Sequence, residues 1–268
     1  MATLPISVCM VSSAEAHRIG RALASVSGWT SEMIVVLNQE VTDGTEEIAR
    51  KHGAKVFREP WKGYIAQKNS AADKTTQPWL FNLDADEAVS VALREEIQSV
   101  FSGVSNAEKL AAYSFPRLSW YCGRWIRHGD WYPDRQTRIW QRNKACWGGT
   151  DPHARLLVDG EIGALRGDLE HYSTDSINRR LEKIIPFSDE FVAQHGMNRH
   201  TPGAFDLAVR PLWRFLRAYF VKLGFMDGWQ GFYIASHTAF STLVRYAKVR
   251  EAKQNSARAA EVEKREIR

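Results

Sequence analysis

Three acidic residues follow a short apolar run in the first third of the chain. The run over residues 79–83 is continued by Asp84, Ala85, Asp86 and Glu87. Asp84 and Asp86 are two positions apart, so on an extended backbone their side chains leave the same face. If the chain turns directly afterwards, two or three carboxylates converge, and hard oxygen ligands in that arrangement suit Mg²⁺ or Mn²⁺. The alternative is that the two aspartates cap the next helix and are solvated, because a DxD pattern is common.

The elements that must position these acids alternate between strand and helix. Short apolar runs predict buried strands, and amphipathic or capped stretches predict helices between them. The predicted order is strand 6–11, helix 15–26, strand 33–37, helix 46–52, strand 55–57, helix 64–72 and strand 79–83. This repeated βα pattern predicts an α/β fold with a mostly parallel sheet, helices on both faces, and ligands at the carboxyl ends of the strands.

The pattern changes after the acidic residues. A helix is predicted over 91–101, and strand-like runs over 112–116, 137–141 and 155–158 predict antiparallel additions with long loops. This middle segment holds five of the ten tryptophans, and we expect one or two of them to contact a sugar while the others fill the core. These five are Trp120, Trp125, Trp131, Trp140 and Trp147.

The order and spacing of several blocks resemble glycosyltransferase family 2, whose catalytic domain has the Rossmann-like GT-A fold. The blocks are ISVCMVSSAEAHRIGRALASV, EMIVVLNQEVTDGTEEIARKHGAKV, WKGYIAQKNSAA and WLFNLDADE. Later blocks are similar to the bacterial lipopolysaccharide-core glucosyltransferase branch: YPDRQTRIW, DPHARLLVDG, LEHYS and GFMDGWQGF. The resemblance implies a GT-A domain over 1–175, with a nucleotide-sugar half to about residue 100 and an acceptor half over 101–175, and a C-terminal helical extension over 176–268.

The resemblance also implies roles for acidic and basic residues near the donor. Asp84 and Asp86 would bind a divalent metal, Mg²⁺ or Mn²⁺, and through it the donor diphosphate. Glu15 would lie near the nucleotide, and Lys68 would approach the donor, unless it is a solvated helix lysine. His171 would lie beside the metal or the diphosphate, unless it is structural.

Three further residues are candidates for donor binding with open alternatives. Asp43 could take over part of the nucleoside contact, although the cap of the following helix is the role we favour. Arg135 and Arg138 could clamp the diphosphate or an acidic acceptor, because a guanidinium offers a planar fork of donors; either could equally be a solvated strand residue.

Sugar transfer with inversion needs a base that deprotonates the acceptor hydroxyl. The resemblance implies that the base lies in the block that begins at Asp151. Several relatives have an acid directly after the histidine, where this chain has Ala154, so Asp151 is the first candidate and His153 the second. Asp151 could instead initiate an Asp-Pro turn. The family also carries polar residues at two other positions, where this chain has Ala14 and Leu37. These departures, together with Ala154, keep open the alternative that the chain is a catalytically silent relative.

Composition limits the class of protein and its compartment. The 268 residues are 44% hydrophobic and 25% charged, which is typical of a globular protein. Three widely spaced cysteines without metal-ligand spacing predict a reducing compartment. The N-terminus lacks the features of a signal peptide, and no stretch approaches the roughly 20 apolar residues of a membrane span, so we expect a cytoplasmic protein that does not span a membrane.

The positive charge is concentrated in the last quarter of the chain. From Asp206 onward there are twelve Lys and Arg against six Asp and Glu, whereas the whole chain carries +5. The run over 210–223 mixes these basic residues with aromatic ones, and a second helical run follows over 232–248. Basic amphipathic helices of this kind bind anionic lipid surfaces, so we expect peripheral binding at the inner face of the bacterial inner membrane. The alternative is a helical hairpin with its arginines in water.

These observations favour one function. The chain is expected to transfer a hexose, with glucose favoured, from a nucleotide diphosphate sugar, with a UDP-sugar favoured, to a lipopolysaccharide-core or related glycolipid acceptor. A different sugar on a polysaccharide or lipid carrier is the alternative within the same fold. Nucleic-acid binding is disfavoured, because no such motif is present and the acidic residues at 84–87 would repel phosphates unless a metal intervened.

Overall fold

The chain folds into two compact units. The computed structural model describes residues 3–102, 109–151, 153–173, 176–196 and 200–266. The first unit comprises residues up to 118 and residues 133–172, and the second comprises residues 119–132 and those from 173 onward.

Twelve strands are found in the described residues. They are β1 (Leu4–Ser12), β2 (Thr30–Asn38), β3 (Lys55–Glu59), β4 (Trp79–Asn82), β5 (Glu87–Val89), β6 (Ala112–Tyr121), β7 (Arg124–Ile126), β8 (Asp134–Gln141), β9 (Ala145–Thr150), β10 (His153–Val158), β11 (Ile162–Ala164) and β12 (Leu169–Tyr172).

Eight α-helices are described, of which four lie in each unit. They are α1 (Ile19–Val26), α2 (Thr45–Lys51), α3 (Tyr64–Asp73), α4 (Val91–Ser102), α5 (Ile177–Glu182), α6 (Ile184–His195), α7 (Ala204–Leu216) and α8 (Gly228–Glu266). A π-helical turn (Arg217–Val221) and a 3-10 turn (Gly224–Asp227) connect α7 to α8.

The main sheet confirms the α/β fold class. Its strand order is β3-β2-β1-β4-β8-β6-β12-β5. The first four strands are parallel, as the βα repeats predict. The later strands make the sheet mixed, because β8 pairs antiparallel with both β4 and β6, and β12 pairs antiparallel with β5. Because β4 pairs parallel with β1, the carboxyl ends of these two strands lie at the same edge of the sheet.

Apolar cores cover both faces of β1. Ile6 and Val8 belong to a core that also contains Leu23 of α1, whereas Cys9 belongs to a second core that contains Ala71 of α3. Alternate strand residues point to opposite faces, so a strand that is buried on both sides is apolar throughout. The predicted apolar stripe of α1 is fully buried, which confirms the helix, although α1 begins at Ile19 rather than at residue 15.

Apart from residues 119–132, which hold the end of β6 and β7, the second unit is helical in its described residues, as predicted from Ser176 onward, and we call it the helical unit. The expected helix over 210–223 is divided into α7 and the π-helical turn, and the second helical run is part of the much longer helix α8. No helix in the described part of the chain is long and apolar enough to cross a membrane.

Candidate active site

The acids after β4 lie at the edge of the sheet. The chain turns at once, and the backbone N–H of Glu87 donates to the carbonyl of Asp84 at 3.0 Å before β5 begins. The aspartates do not cap the next helix, because the first turn of α4 is capped by the hydroxyl of Ser90, which accepts from the N–H of Leu93 at 3.2 Å. The carboxylates are therefore available for contacts with other side chains.

Two cations hold the carboxylate of Asp84. Lys68 on α3 donates to Oδ1 at 2.9 Å, and Arg138 on β8 donates to Oδ2 at 2.8 Å. Asn82 also donates to Oδ1, at 3.2 Å. Burial alone would raise the pKa of Asp84, but the charges of Arg138 and Lys68 and these hydrogen bonds lower it well below its ordinary value. Asp84 is an anion that is already neutralised by the chain's own residues.

The third acid, Glu87, is a buried structural carboxylate. Its side chain is completely buried. It accepts from the N–H of Asp84 at 3.1 Å and from Arg138 at 2.8 Å, and Arg117 on β6 lies 3.4 Å away. Arg117 also forms a salt bridge with Asp134 at 2.7 Å. These contacts fix the turn that presents Asp84. The sequence offers Glu87 only as a possible third carboxylate of a metal site, and it gives no signal for Arg117.

Asp86 and His171 form a separate pair beside Asp84. His171 lies on β12, which pairs with β5 so that His171 is opposite Glu87. Its Nε2 atom is 3.4 Å from Oδ2 of Asp86. Burial alone would raise the pKa of Asp86, but the hydrogen bond and charge of His171 lower it. Two predicted metal ligands from distant parts of the sequence are thus brought together.

The predicted nucleotide residue Glu15 connects to this pair through an arginine. Arg18 forms a two-pronged ion pair with Glu15, and its Nη1 atom is 3.8 Å from Oδ2 of Asp86. The loop after β1 and the turn after β4 are therefore joined by charge.

The donor set fits a divalent cation that shares its ligands with a substrate. Among the described residues, no three His, Cys, Asp or Glu side chains converge to hold a metal by themselves. Asp86 and His171 carry donor atoms of the kinds that divalent cations accept, and in this structure they pair with each other. Both oxygens of Asp84 are bonded to Lys68 and Arg138, and metal binding by Asp84 stays a prediction. Mg²⁺ commonly takes one or two carboxylates and completes its octahedron with water and phosphate oxygens, so two protein donors are sufficient.

Helix α3 is held in place by ion pairs at the end of β3. Glu59 accepts hydrogen bonds from Lys62 at 3.0 Å and Ser70 at 2.8 Å, and Lys74 lies 2.5 Å away. Burial alone would raise the pKa of Glu59, but the hydrogen bonds from Lys74, Lys62 and Ser70 lower it to about 2. Because Lys68 lies on the same helix, these contacts also position Lys68.

Trp147 links α3 to β9. The side chain of Asn69 accepts from its N–H and donates to its carbonyl, both at 2.9 Å. Nζ of Lys68 lies 4.5 Å from the centre of the indole ring. Trp147 is buried and packs edge-to-face on Trp140, so both of these tryptophans fill the core. Contact between a sugar and another of the five tryptophans stays a prediction.

Asp43 and Arg135 are occupied elsewhere. Oδ1 of Asp43 accepts from the N–H of Thr45 at 3.1 Å, and Oδ2 accepts from the N–H of Ala16 at 3.1 Å, which is the helix-start role that we favour from the sequence. Arg135 donates to the carbonyls of Ser114 and Leu165. The register of β8 against β6 shifts beside Arg138, and it is Arg138 that contacts Asp84. Donor binding by Asp43 and Arg135 stays a prediction.

The first candidate base, Asp151, lies at the start of α3. Its Oδ1 accepts from the N–H of Ile65 at 3.0 Å. Its Oδ2 lies 2.2 Å from the position that a Cβ atom on Gly63 would take, and Gly63 has a φ of +91°, so only glycine fits there. The backbone of His153 begins β10, but the side chain of this second candidate base lies outside the described residues.

The helical unit exposes a cluster of large apolar side chains. On α7 the residues Phe205, Val209 and Trp213 are 64%, 43% and 56% exposed, and they follow a helical spacing on one face. The turns after α7 also expose Val221 and Met226. Several large apolar side chains exposed on one face of a helix are typical of a binding surface.

Comparison with known proteins gives matches over most of the chain. A family model described as glycosyl transferase family 2 matches residues 7–153. The chain is 33% identical over 261 residues to the uncharacterized glycosyltransferase RP128 of Rickettsia prowazekii, with 92% of this chain and 87% of that protein covered. It is 25% identical over 253 residues to the lipopolysaccharide core biosynthesis glycosyltransferase LpsC of Rhizobium meliloti, with 92% of each chain covered.

A solved structure is similar over nearly the whole length. The mannosyltransferase PcManGT of Pyrobaculum calidifontis, in complex with GDP-Man and Mn²⁺, is 14% identical, and 97% of this chain and 81% of that chain are covered with a TM-score of 0.48. The matched range of the family model runs from β1 to the start of β10 and so contains Glu15, Lys68, Asp84, Asp86 and Asp151.

Proposed function

This chain belongs to glycosyltransferase family 2 and is a glycosyltransferase with the GT-A fold, and from that premise we propose which reaction it performs. It transfers a hexose, with glucose favoured, from a nucleotide diphosphate sugar, with a UDP-sugar favoured, to a lipopolysaccharide-core or other glycolipid acceptor. Transfer inverts the anomeric centre. Transfer of a different sugar onto a polysaccharide or lipid carrier is the alternative.

One observation supports the donor most directly. Asp86 and His171 approach to 3.4 Å at the end of β4, directly beside Asp84, whose two oxygens are held by Lys68 and Arg138. Ligands of open α/β sheets bind at the carboxyl ends of the strands, which is where these residues lie. The site combines donors for a metal ion with one cation, Lys68, for a phosphate.

Asp86 and His171 would hold a divalent cation, which when bound offsets the charge of the departing diphosphate. Arg18 bridges Glu15 and Asp86, and so keeps the carboxylate of Asp86 in place. Lys68 is largely buried between Asp84 and the face of Trp147, and at the edge of the site its ammonium can stabilise a diphosphate oxygen.

Arg138 acts on this site by positioning. It is buried, and it bonds both Asp84 and Glu87, so the orientation of the first acid depends on it. The residue is too enclosed to act as a clamp on a solvated substrate, and its function is to hold the acidic turn.

The acceptor hydroxyl loses its proton to Asp151, with His153 as the alternative base. The carboxylate of Asp151 is anchored through Oδ1 by the N–H of Ile65, and this contact fixes its orientation at the start of α3. A base of this kind must lie within hydrogen-bond reach of the attacking hydroxyl.

A lipid acceptor agrees with the surface of the helical unit. The relative LpsC is named for lipopolysaccharide core biosynthesis and matches over 92% of each chain. The exposed side chains of α7, together with the basic residues of the last quarter, support peripheral binding to an anionic membrane surface, at the inner face of the bacterial inner membrane.

The test is a transfer assay with a panel of UDP-, GDP- and dTDP-sugars, Mn²⁺ or Mg²⁺, and lipopolysaccharide core with a truncated outer region as acceptor. We expect transfer from UDP-glucose, and NMR of the product should give the β-anomer from the α-linked donor. Retention of configuration, or a lack of transfer with every donor and metal, would contradict the proposal.

The base is tested by Asp151→Asn, with Asp159→Asn as the matched control on the exposed loop after β10. Loss of a general base lowers kcat by about 100-fold or more, while the affinity for the donor is unchanged. A kcat within about threefold of the wild type would transfer the role to His153, which His153→Gln then tests.

A further inference from the structure

The helical unit contains a cavity that is lined with cations. It has a volume of about 220 Å³. Four basic side chains reach it from successive helical elements: Arg180 from α5, Lys183 from the junction with α6, Arg214 from α7 and Arg245 from α8. None of the described residues that line it is Asp or Glu. Such a concentration of positive charge in one cavity requires an explanation.

Three of these cations have no carboxylate partner. Among the described residues, neither Arg180 nor Lys183 nor Arg245 forms a salt bridge. Aromatic rings hold the two arginines instead: the guanidinium of Arg180 lies 4.2 Å from the ring centre of Trp131, and that of Arg245 lies 5.7 Å from Phe191. Both arginines are therefore oriented without being neutralised.

The fourth cation is only partly compensated. Arg214 is 3.4 Å from Oδ2 of Asp130, but the same carboxylate is also 3.2 Å from Arg217 and 2.9 Å from Lys222. One acid therefore serves three bases, and the wall of the cavity keeps an excess of positive charge.

Burial makes the charge of Arg180 unfavourable in the absence of an anion. Desolvation lowers the pKa of Arg180, and the neighbouring phenols of Tyr121 and Tyr233 oppose that shift only in part. A buried charge without a partner costs free energy that a bound counter-charge recovers.

One face of α8 adds hydroxyl groups to the same wall. The cavity is lined by three hydroxyl residues of α8, Thr238, Ser241 and Thr242. They are spaced i, i+3 and i+4, so they lie on the same face of the helix. The two threonine hydroxyls donate to backbone carbonyls of α8 at 2.8 Å. The side-chain hydroxyl of Ser241 makes no hydrogen bond with another described residue, so it can donate to a ligand.

We propose that this cavity is a phosphate-binding site that takes a phosphate group, either on an anionic lipid headgroup or as free inorganic phosphate. Guanidinium forks and hydroxyl donors match phosphate oxygens, and the cavity is smaller than the 300–1,000 Å³ that is typical for drug-sized ligands. Ile184 and Phe187 line it as well, which would suit a ligand with an apolar portion. The site lies wholly within the helical unit and uses none of the residues assigned to sugar transfer.

The test compares charge-matched variants by calorimetry. Arg245→Gln and Ser241→Asp change the cavity, whereas Arg258→Gln removes the same charge from an exposed position on α8. The probes are inorganic phosphate and dihexanoylphosphatidic acid below its critical micelle concentration, in buffer without divalent metal. UDP with Mn²⁺ is titrated into every variant as the readout of the transferase site, and melting temperatures report folding.

We expect Arg245→Gln to weaken phosphate binding about tenfold, since charge-assisted hydrogen bonds are among the strong ones, and Ser241→Asp to abolish it. Arg258→Gln should stay within about twofold, and UDP affinity should be unchanged in all three variants. If the phospholipid binds more tightly than phosphate and both are weakened alike by Arg245→Gln, the ligand is a lipid headgroup. If the two affinities are equal, the ligand is inorganic phosphate.

Equal weakening by Arg258→Gln and Arg245→Gln would show that net charge alone attracts the anion, and it would overturn the proposal. Retained binding in folded Ser241→Asp would also overturn it. If the wild type does not bind UDP with Mn²⁺, the proposed transferase reaction is contradicted instead. Failure of the phosphate site and failure of the transferase proposal are therefore distinguishable.

Discussion

Replacing Arg138 by methionine tests whether the acidic turn depends on one buried cation. The side chain of Arg138 is 5% exposed, and it bonds Oδ2 of Asp84 and Oε1 of Glu87, both at 2.8 Å. Methionine fills a similar volume but supplies no charge. Glu87, which is completely buried, would keep only Arg117 at 3.4 Å and the N–H of Asp84.

The expected cost is about 3–5 kcal/mol, the range for breaking a buried ion pair by removing one partner. The value should be near the upper end, because two carboxylates lose a partner at once. For a chain of this size the melting temperature should fall by roughly 10 °C. Differential scanning calorimetry measures the shift, and Arg155→Met, an exposed arginine on β10, is the control that should change stability by no more than about 0.5 kcal/mol.

The double variant Arg138→Met/Glu87→Leu separates charge from packing. If the cost comes from an uncompensated buried carboxylate, removal of Glu87 should restore a large part of the lost stability. A loss below about 1 kcal/mol in Arg138→Met, or no recovery in the double variant, would refute the assignment of this arginine as the cation that holds the turn.

Three further predictions concern the elements around α3. Gly63→Ala should destabilise the fold by about 1–3 kcal/mol, because its φ is +91° and the new Cβ would meet Asp151, and thermal melts that show no change would contradict this. The pKa of Glu59 is about 2 in the folded protein against an ordinary 4.5, so the ionised carboxylate stabilises the fold above pH 4.5, and this stabilisation is lost as the pH falls toward 2. The stability of Glu59→Gln should therefore depend less on pH over that range than the stability of the wild type, and identical acid unfolding curves would contradict this prediction. Lys68→Gln should weaken UDP binding by about tenfold in calorimetry, and unchanged affinity would exclude the ammonium from the donor site.

The sequence predicts the parts of the site that depend on local pattern. The apolar run of β4 ends where the structure ends the strand, within a residue, and the next residues reach the edge of the sheet because a parallel strand must end there. The register of β8 against β6 shifts beside Arg138, so the sequence pattern alone does not tell which of Arg135 and Arg138 reaches Asp84. The convergence of Asp86 and His171 followed from the family resemblance, since nothing local connects residues 85 positions apart.

Other parts of the site depend on contacts between distant segments that no local pattern encodes. The sequence offers Glu87 as a possible third carboxylate of a metal site, but β12 and Arg117 enclose it. The contact between Asp151 and the start of α3 joins residues 86 positions apart. The glycine before the helix was a possible signal, because a glycine at such a position often marks a close approach of another chain segment.

The central claim is that Asp86 and His171 hold a divalent cation together with the donor diphosphate. Calorimetric titration of UDP with and without Mn²⁺ tests it most directly, in the wild type, in Asp86→Asn, in His171→Gln and in the surface control Asp73→Asn. We predict that Mn²⁺ tightens UDP binding by about tenfold or more in the wild type and the control, and that this gain disappears in both site variants. A gain that persists in Asp86→Asn and His171→Gln, or no gain in the wild type, would contradict the account.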